Sequence, residues 1–155
     1  NTGPIIALAG IHKLNLLQNF YKTIIIPEPV HIEILAGGKS FTGLDEYKKA
    51  TWLDIRKLGQ KPEPLLAKFL DEGEASVIHL ARELGIGKIL MDERKGRRIA
   101  RDIYGLTVTG TVRLLLDAKK AGFINHLTDV LQDMKSSGYW IHDKIMQVAA
   151  KEAGE

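Results

Sequence analysis

The feature that most restricts this chain is an alternation along its length. Short apolar or β-branched runs, each cut off by proline, glycine or an acid, alternate with longer segments of helical spacing. Thr23-Ile24-Ile25-Ile26 stops at Pro27, Lys88-Ile89-Leu90-Met91 at Asp92, and Leu106-Thr107-Val108-Thr109 at Gly110. Runs of this kind fit strands covered on both faces. Trp52, Ile55 and Leu58 lie in a weaker strand-like stretch.

Between these runs the spacing predicts helices. One spans Pro4 to about Phe20, with Ile5, Leu8, Ile11, Leu14 and Leu17 recurring at helical intervals. Others cover Val30 to Leu35, stopped by Gly37-Gly38, and Pro62 to Leu70, broken by Gly73. Glu74 to Leu84 forms the next, then a basic helix to Tyr104, then Thr111 to Ala121, Leu127 to Met134 and Asp143 to Ala153. Ser40 to Ala50 reads as a short helix or loop. Strands alternating with helices predict an α/β fold with a mainly parallel sheet.

A length of 155 residues fits one domain and encloses a sizeable core. The chain has no cysteine, which excludes disulfides, zinc–thiolate sites and cysteine nucleophiles and fits a reducing, cytoplasmic setting. No apolar run approaches the ~20 residues of a membrane span, so no membrane association is expected. Asn1-Thr2-Gly3-Pro4 lacks the basic-then-apolar pattern of a signal peptide. It resembles instead a strand-to-helix turn, so a first strand is expected ahead of Asn1.

Parallel sheets place their sites where strands end and loops enter the next helix. Asp92 follows a predicted strand directly. Glu33 sits on a helix among Val30, Ile32, Ile34 and Leu35, either on an exposed stripe or facing a polar cavity. Glu74 stands in the first turn of its helix, where a carboxylate is favoured by the helix dipole and serves as a cap or as a site residue. From Glu93 to Arg101 there are five cations in nine residues, among them Lys95, Arg97, Arg98 and Arg101. Such density meets phosphates or forms a solvated helix face.

Five segments share a resemblance: Asn1-Thr2-Gly3-Pro4-Ile5-Ile6-Ala7-Leu8, Ile26-Pro27-Glu28-Pro29-Val30-His31-Ile32-Glu33, Asp71-Glu72-Gly73-Glu74-Ala75, Met91-Asp92-Glu93-Arg94-Lys95-Gly96-Arg97-Arg98-Ile99-Ala100 and Val108-Thr109-Gly110-Thr111. In this order they resemble a prokaryotic branch of the PIN domains related to the VapC-type toxin ribonucleases. The resemblance implies a three-layer α/β/α sandwich around a central, mainly parallel sheet. It implies Asn1, Glu33, Glu74 and Asp92 as ligands of Mg²⁺ or Mn²⁺, with Glu33, Glu74 and Asp92 as catalytic acids. Asn1 departs from the wider family, which usually has Asp there. An amide oxygen ligates or hydrogen-bonds but brings no charge.

The activity implied is a metal-dependent ribonuclease, the toxin of a type II toxin–antitoxin pair, with an antitoxin protein as partner and a homodimer as the assembly. Lys95, Arg97, Arg98 and Arg101 would then contact the RNA backbone, largely blind to its sequence. The alternative is a weak or inactive PIN module that binds nucleic acid or a protein. A receiver-like domain with Asp92 as nucleophile lacks the paired acids expected near a first strand. The histidines have no metal-ligand spacing, Gly85-Ile86-Gly87 is too short for a dinucleotide loop, and Thr109-Gly110-Thr111 is expected to cap a helix.

Overall fold

The computed structural model describes residues 2–37 and 41–155. Four parallel-paired strands and ten helices are found among them. In chain order they are α1 (Gly3–Gly10), α2 (Leu16–Phe20), β1 (Ile24–Pro27), α3 (Glu28–Ala36), α4 (Leu44–Lys49), β2 (Leu53–Arg56) and α5 (Pro64–Phe69). They continue with α6 (Glu72–Glu83), β3 (Lys88–Leu90), α7 (Arg94–Asp102), β4 (Thr107–Thr109), α8 (Thr111–Lys120), α9 (Leu127–Ser136) and α10 (Asp143–Glu152).

The strands form two parallel pairs. Ile24 to Pro27 run alongside Leu53 to Arg56, and Lys88 to Leu90 alongside Thr107 to Thr109. Helix α6 packs on both β1 and β3 and so joins the two pairs. Between them lies an apolar cleft of about 570 Å³, walled by Ile24 to Pro27 on one side and Lys88 to Leu90 on the other, with Val77, Leu80 and Ala81 of α6 against it. The α/β class and the parallel pairing expected from the sequence are present. The strand expected ahead of Asn1 lies outside the described residues.

Two hydrophobic clusters hold the layers. The larger combines α1, α2, β1 and α3 with α8 and α9, through Leu8, Leu17, Ile34, Leu115, Leu131 and Met134. The smaller joins α5, α6, β3 and α7 through Leu66, Ile78, Met91 and Ala100. Val77 of α6 packs against both. No helix of the described residues is long and apolar enough to cross a membrane.

Two helix boundaries differ from the sequence expectation. The helix expected from Pro4 to Phe20 is broken in two. His12 adopts φ 56°, a left-handed conformation, and Lys13 N–H bonds back to Leu8 C=O at 2.9 Å, closing the end of α1. Both short helices pack into the same hydrophobic cluster, through Ile5, Leu8, Leu16 and Leu17. Gly73, expected as a breaker, lies inside the first turn of α6, which starts at Glu72 with Asp71 as its N-cap.

Candidate functional site

Asp71 and Glu74 form a capping box, in which two orphan N–H donors at the helix start are satisfied reciprocally. Glu74 N–H donates to Asp71 Oδ1 at 2.7 Å, and Asp71 N–H donates to Glu74 Oε2 at 3.2 Å. Glu74 is only 6% exposed, while its Oε1 is not used by the cap. The capping reading of Glu74 is therefore realised, and it leaves one carboxylate oxygen for another task.

Glu33, on α3, reaches the same turn. Gly73 makes this approach possible: a Cβ there would stand 2.9 Å from Glu33 Oε2 and 3.4 Å from Asp71 Oδ1. Burial, then the Asp71 charge, pushes the Glu33 carboxyl above its ordinary value. Glu74 is pushed up likewise, first by burial and then by Asp71, with Glu93 adding to it. Among the described residues no lysine, arginine or histidine forms a salt bridge with Glu33, Asp71, Glu74 or Asp92.

Asp92 is held differently. It follows β3 and faces the start of α8, whose Thr111 donates through N–H to Oδ1 at 2.7 Å and through Oγ1 to Oδ2 at 2.6 Å. Tyr139, beyond α9, donates its hydroxyl to the same Oδ2. Burial, then the Asp92 charge, raises the Tyr139 phenol, which keeps it a donor. Gly110, at the N-cap position of α8, makes no side-chain cap. The Thr109-Gly110-Thr111 segment thus does open a helix, with Asp92 supplying the capping carboxylate from another strand.

Helix α7 lies between these two arrangements. Its Gly96 sits against Met91 and Glu74: an added Cβ would come 2.5 Å from Met91 Sδ and 3.7 Å from Glu74 Cδ. Glu93 caps it, accepting from Lys95 N–H at 3.1 Å. Arg97 is half-buried, and its guanidinium and Asp92 Oδ1 flank the same face of Gly110. Lys95, Arg98 and Arg101 are exposed. None of these four cations forms a salt bridge among the described residues. Lys95 instead lies 5.4 Å from the centroid of the Phe69 ring.

The family model described as DUF3368, a PIN domain, matches residues 1–155. The chain belongs to this PIN-domain family. No curated protein and no solved structure shows a significant match. Of the residues that the PIN resemblance implies, Glu33, exposed on α3, reaches the turn where Glu74 pairs with Asp71, Asp92 is anchored by Thr111 and Tyr139, and Asn1 lies outside the described residues. Among those residues no three histidines or carboxylates are clustered as a ready metal cage. In kind, however, the donors of the PIN site fit a hard divalent cation. Mg²⁺ keeps several waters and needs only one or two carboxylates, and it would favour the charged forms of Glu33 and Glu74, which burial and Asp71 disfavour.

The sequence did not point to Asp71, Gly73 or Tyr139. Asp71 was readable in hindsight from Asp-x-x-Glu, the acid version of a capping box. Tyr139 carried no local signal, since it meets Asp92 across 47 residues of chain. The five histidines are engaged or peripheral as their spacing implied: His12 meets Glu46 at 3.1 Å, His31 meets the Tyr47 hydroxyl at 2.7 Å, and His79 meets Glu83 at 2.8 Å.

Proposed function

We propose that this PIN domain is a metal-dependent ribonuclease that hydrolyses RNA phosphodiesters in the cytoplasm, as the toxin of a type II toxin–antitoxin pair. The observation that carries the nuclease reading is that Glu33 of α3 reaches Gly73 in the first turn of α6, the turn that holds Asp71 and Glu74. Glu33 and Glu74, from separate helices, are each raised by burial and by Asp71 and form no salt bridge among the described residues. Glu33 Oε2 and the free Glu74 Oε1 are the oxygens that would hold Mg²⁺ or Mn²⁺, with Asn1 adding an uncharged ligand. The bound ion would supply a water of lowered pKa and a clamp on the phosphate oxygens.

The remaining parts are this chain's own. Thr111 and Tyr139 fix Asp92 in one orientation; Oδ2 accepts twice and Oδ1 once, so Oδ1 keeps one lone pair for a further contact. Arg97, beside Asp92 and Gly110, is placed to meet a phosphate, and Lys95, Arg98 and Arg101 extend the positive surface along α7. Backbone contacts of this type give salt-dependent, sequence-blind affinity. A relation to VapC-type toxins, which is part of this proposal, would bring an antitoxin partner and a homodimer.

Cleavage of a labelled unstructured RNA with Mg²⁺, Mn²⁺ or a chelator tests the reading. Metal-dependent cleavage that is lost in Glu33→Gln and in Glu74→Gln is the expected result. Unchanged cleavage in both variants removes the site assignment. A second reading, a PIN module that binds RNA or protein without cutting, is favoured by one observation: both Asp92 oxygens already accept hydrogen bonds. RNA binding with no cleavage under any divalent metal would decide for it.

A further inference from the structure

Two exposed aromatic residues are close along the chain to the acidic site, one to each of its halves. Trp140 is 76% exposed, the most exposed large apolar side chain among the described residues. Its chain neighbour is Tyr139, whose hydroxyl is tied to Asp92, so the Trp140 backbone lies ~3.8 Å from that of a residue in contact with the site. The indole has one ring contact, edge-on to His142 with centroids 5.9 Å apart. Phe69 is 43% exposed and precedes the Asp71–Glu74 capping box by two residues. Lys68 and Lys95 hold their ammonium groups 5.8 and 5.4 Å from its ring centroid.

Neither ring belongs to either hydrophobic cluster. Aromatic faces with cations nearby are what single-stranded nucleic acid uses: bases stack on the ring while ammonium and guanidinium groups track the phosphates. We propose that Trp140 and Phe69 are base-stacking platforms, each holding an unpaired nucleobase of a single RNA strand that crosses the acidic pocket between them. This rests on the nuclease reading for the choice of RNA, but it concerns binding alone. A duplex keeps its base faces stacked internally, so the platforms select unpaired strands.

The test uses the full chain in chelator, so that no cleavage intervenes. The sequence has two tryptophans, so Trp52→Phe leaves Trp140 as the one indole. Should that variant fold poorly, the difference between wild-type and Trp140→Phe emission gives the same signal. A short unstructured RNA is titrated in, with the same strand as a duplex for comparison, and anisotropy of the labelled RNA reports binding independently. Single-stranded RNA is expected to quench Trp140 and the duplex to leave it unchanged. Trp140→Ala is expected to weaken single-strand binding roughly 5- to 150-fold, the range of one lost stacked base, with Trp140→Phe restoring most of it. Phe69→Ala acts in the same direction.

RNA that binds without changing Trp140 emission, or binds Trp140→Ala as tightly as wild type, overturns the platform. So does an emission change that follows protein concentration without RNA, which would make Trp140 a contact between copies. Quenching without cleavage under Mn²⁺ keeps the platform and removes the nuclease; cleavage with unaltered KM in Trp140→Ala does the reverse.

Discussion

Glu74 and Asp92 are both acids at helix starts, yet they are held in opposite ways. Asp92 accepts from Thr111 N–H, Thr111 Oγ1 and the Tyr139 hydroxyl, three donors and no neighbouring carboxylate in contact. Glu74 accepts one backbone N–H and shares its turn with Asp71, whose charge, with that of Glu93, raises the cost of its own. The difference shows what each side can give up. Removing charge at Asp92 leaves buried donors without an acceptor, whereas removing it at Glu74 relieves repulsion. In a divalent site the strained side is where a cation gains most, and the satisfied side is the fixed reference against which it is placed.

The largest stability effect should fall on the satisfied side. Asp92→Ala strands the Thr111 and Tyr139 donors, and loss of hydrogen bonds to a charged group costs about 1.5–3 kcal/mol. Denaturant melts of the metal-free protein should show this loss. Stability equal to wild type would mean that the Thr111 and Tyr139 contacts do not form in solution, and the contrast would collapse.

Next comes the cap itself. Asp71→Ala removes the N-cap oxygen of α6 at an expected cost of about 0.5–2 kcal/mol. Glu74→Gln keeps a side chain able to complete a capping box while deleting the charge. A Glu74→Gln variant that loses as much stability as Asp71→Ala would show that the capping carboxylate needs its charge, and that repulsion on this side is minor.

Gly73→Ala sharpens the comparison without touching either acid. The new Cβ would meet Glu33 Oε2 at 2.9 Å. The obstacle is the free end of a flexible side chain, so α6 persists while the Glu33 carboxylate moves away. The expected outcome is a near-native melt with weakened Mn²⁺ affinity by calorimetry. Unchanged affinity would place the ion away from Glu33.

How much of this was legible in the sequence depends on how local the cause is. The strands at Ile24, Lys88 and Thr107 were readable because β-branched runs ended by proline, acid or glycine are written in consecutive residues. The break after Gly10 was hidden, because Ile11, Leu14 and Leu17 keep helical spacing through a turn that only the His12 backbone angle reveals. Glu33, Glu74 and Asp92 were nominated through the PIN resemblance, while their surroundings came from long-range packing. Gly73 read as a helix breaker, yet its lack of a side chain is what lets α3 and α6 bring two carboxylates together. Tyr139 shares no periodic pattern with Asp92 and could not be paired with it along the chain.

The smallest effect is also the one that isolates the strained side. Glu74 has a folded-state pKa raised above the ordinary glutamate value of 4.5, by burial first and Asp71 second. A raised acid binds its proton more tightly when folded than when unfolded. Its contribution is therefore most favourable below the unfolded value and is lost as pH rises through the folded one. Other carboxyls act in the opposite sense: Glu155, lowered from 4.5 to about 2 by the Thr128 and Leu127 N–H groups it accepts from, loses its contribution progressively as pH falls between those values. The raw pH profile mixes these groups, so the informative quantity is wild type minus Glu74→Gln. In metal-free buffer that difference should be near zero at pH 4 and turn against wild type as pH rises beyond the glutamate range. Adding Mn²⁺ should reverse its sign near neutral pH, because the ion offsets the charge in wild type and has less to offset in the variant. A difference that stays flat with pH, with and without Mn²⁺, would mean that Glu74 carries no electrostatic strain and that its cap alone explains its place in α6.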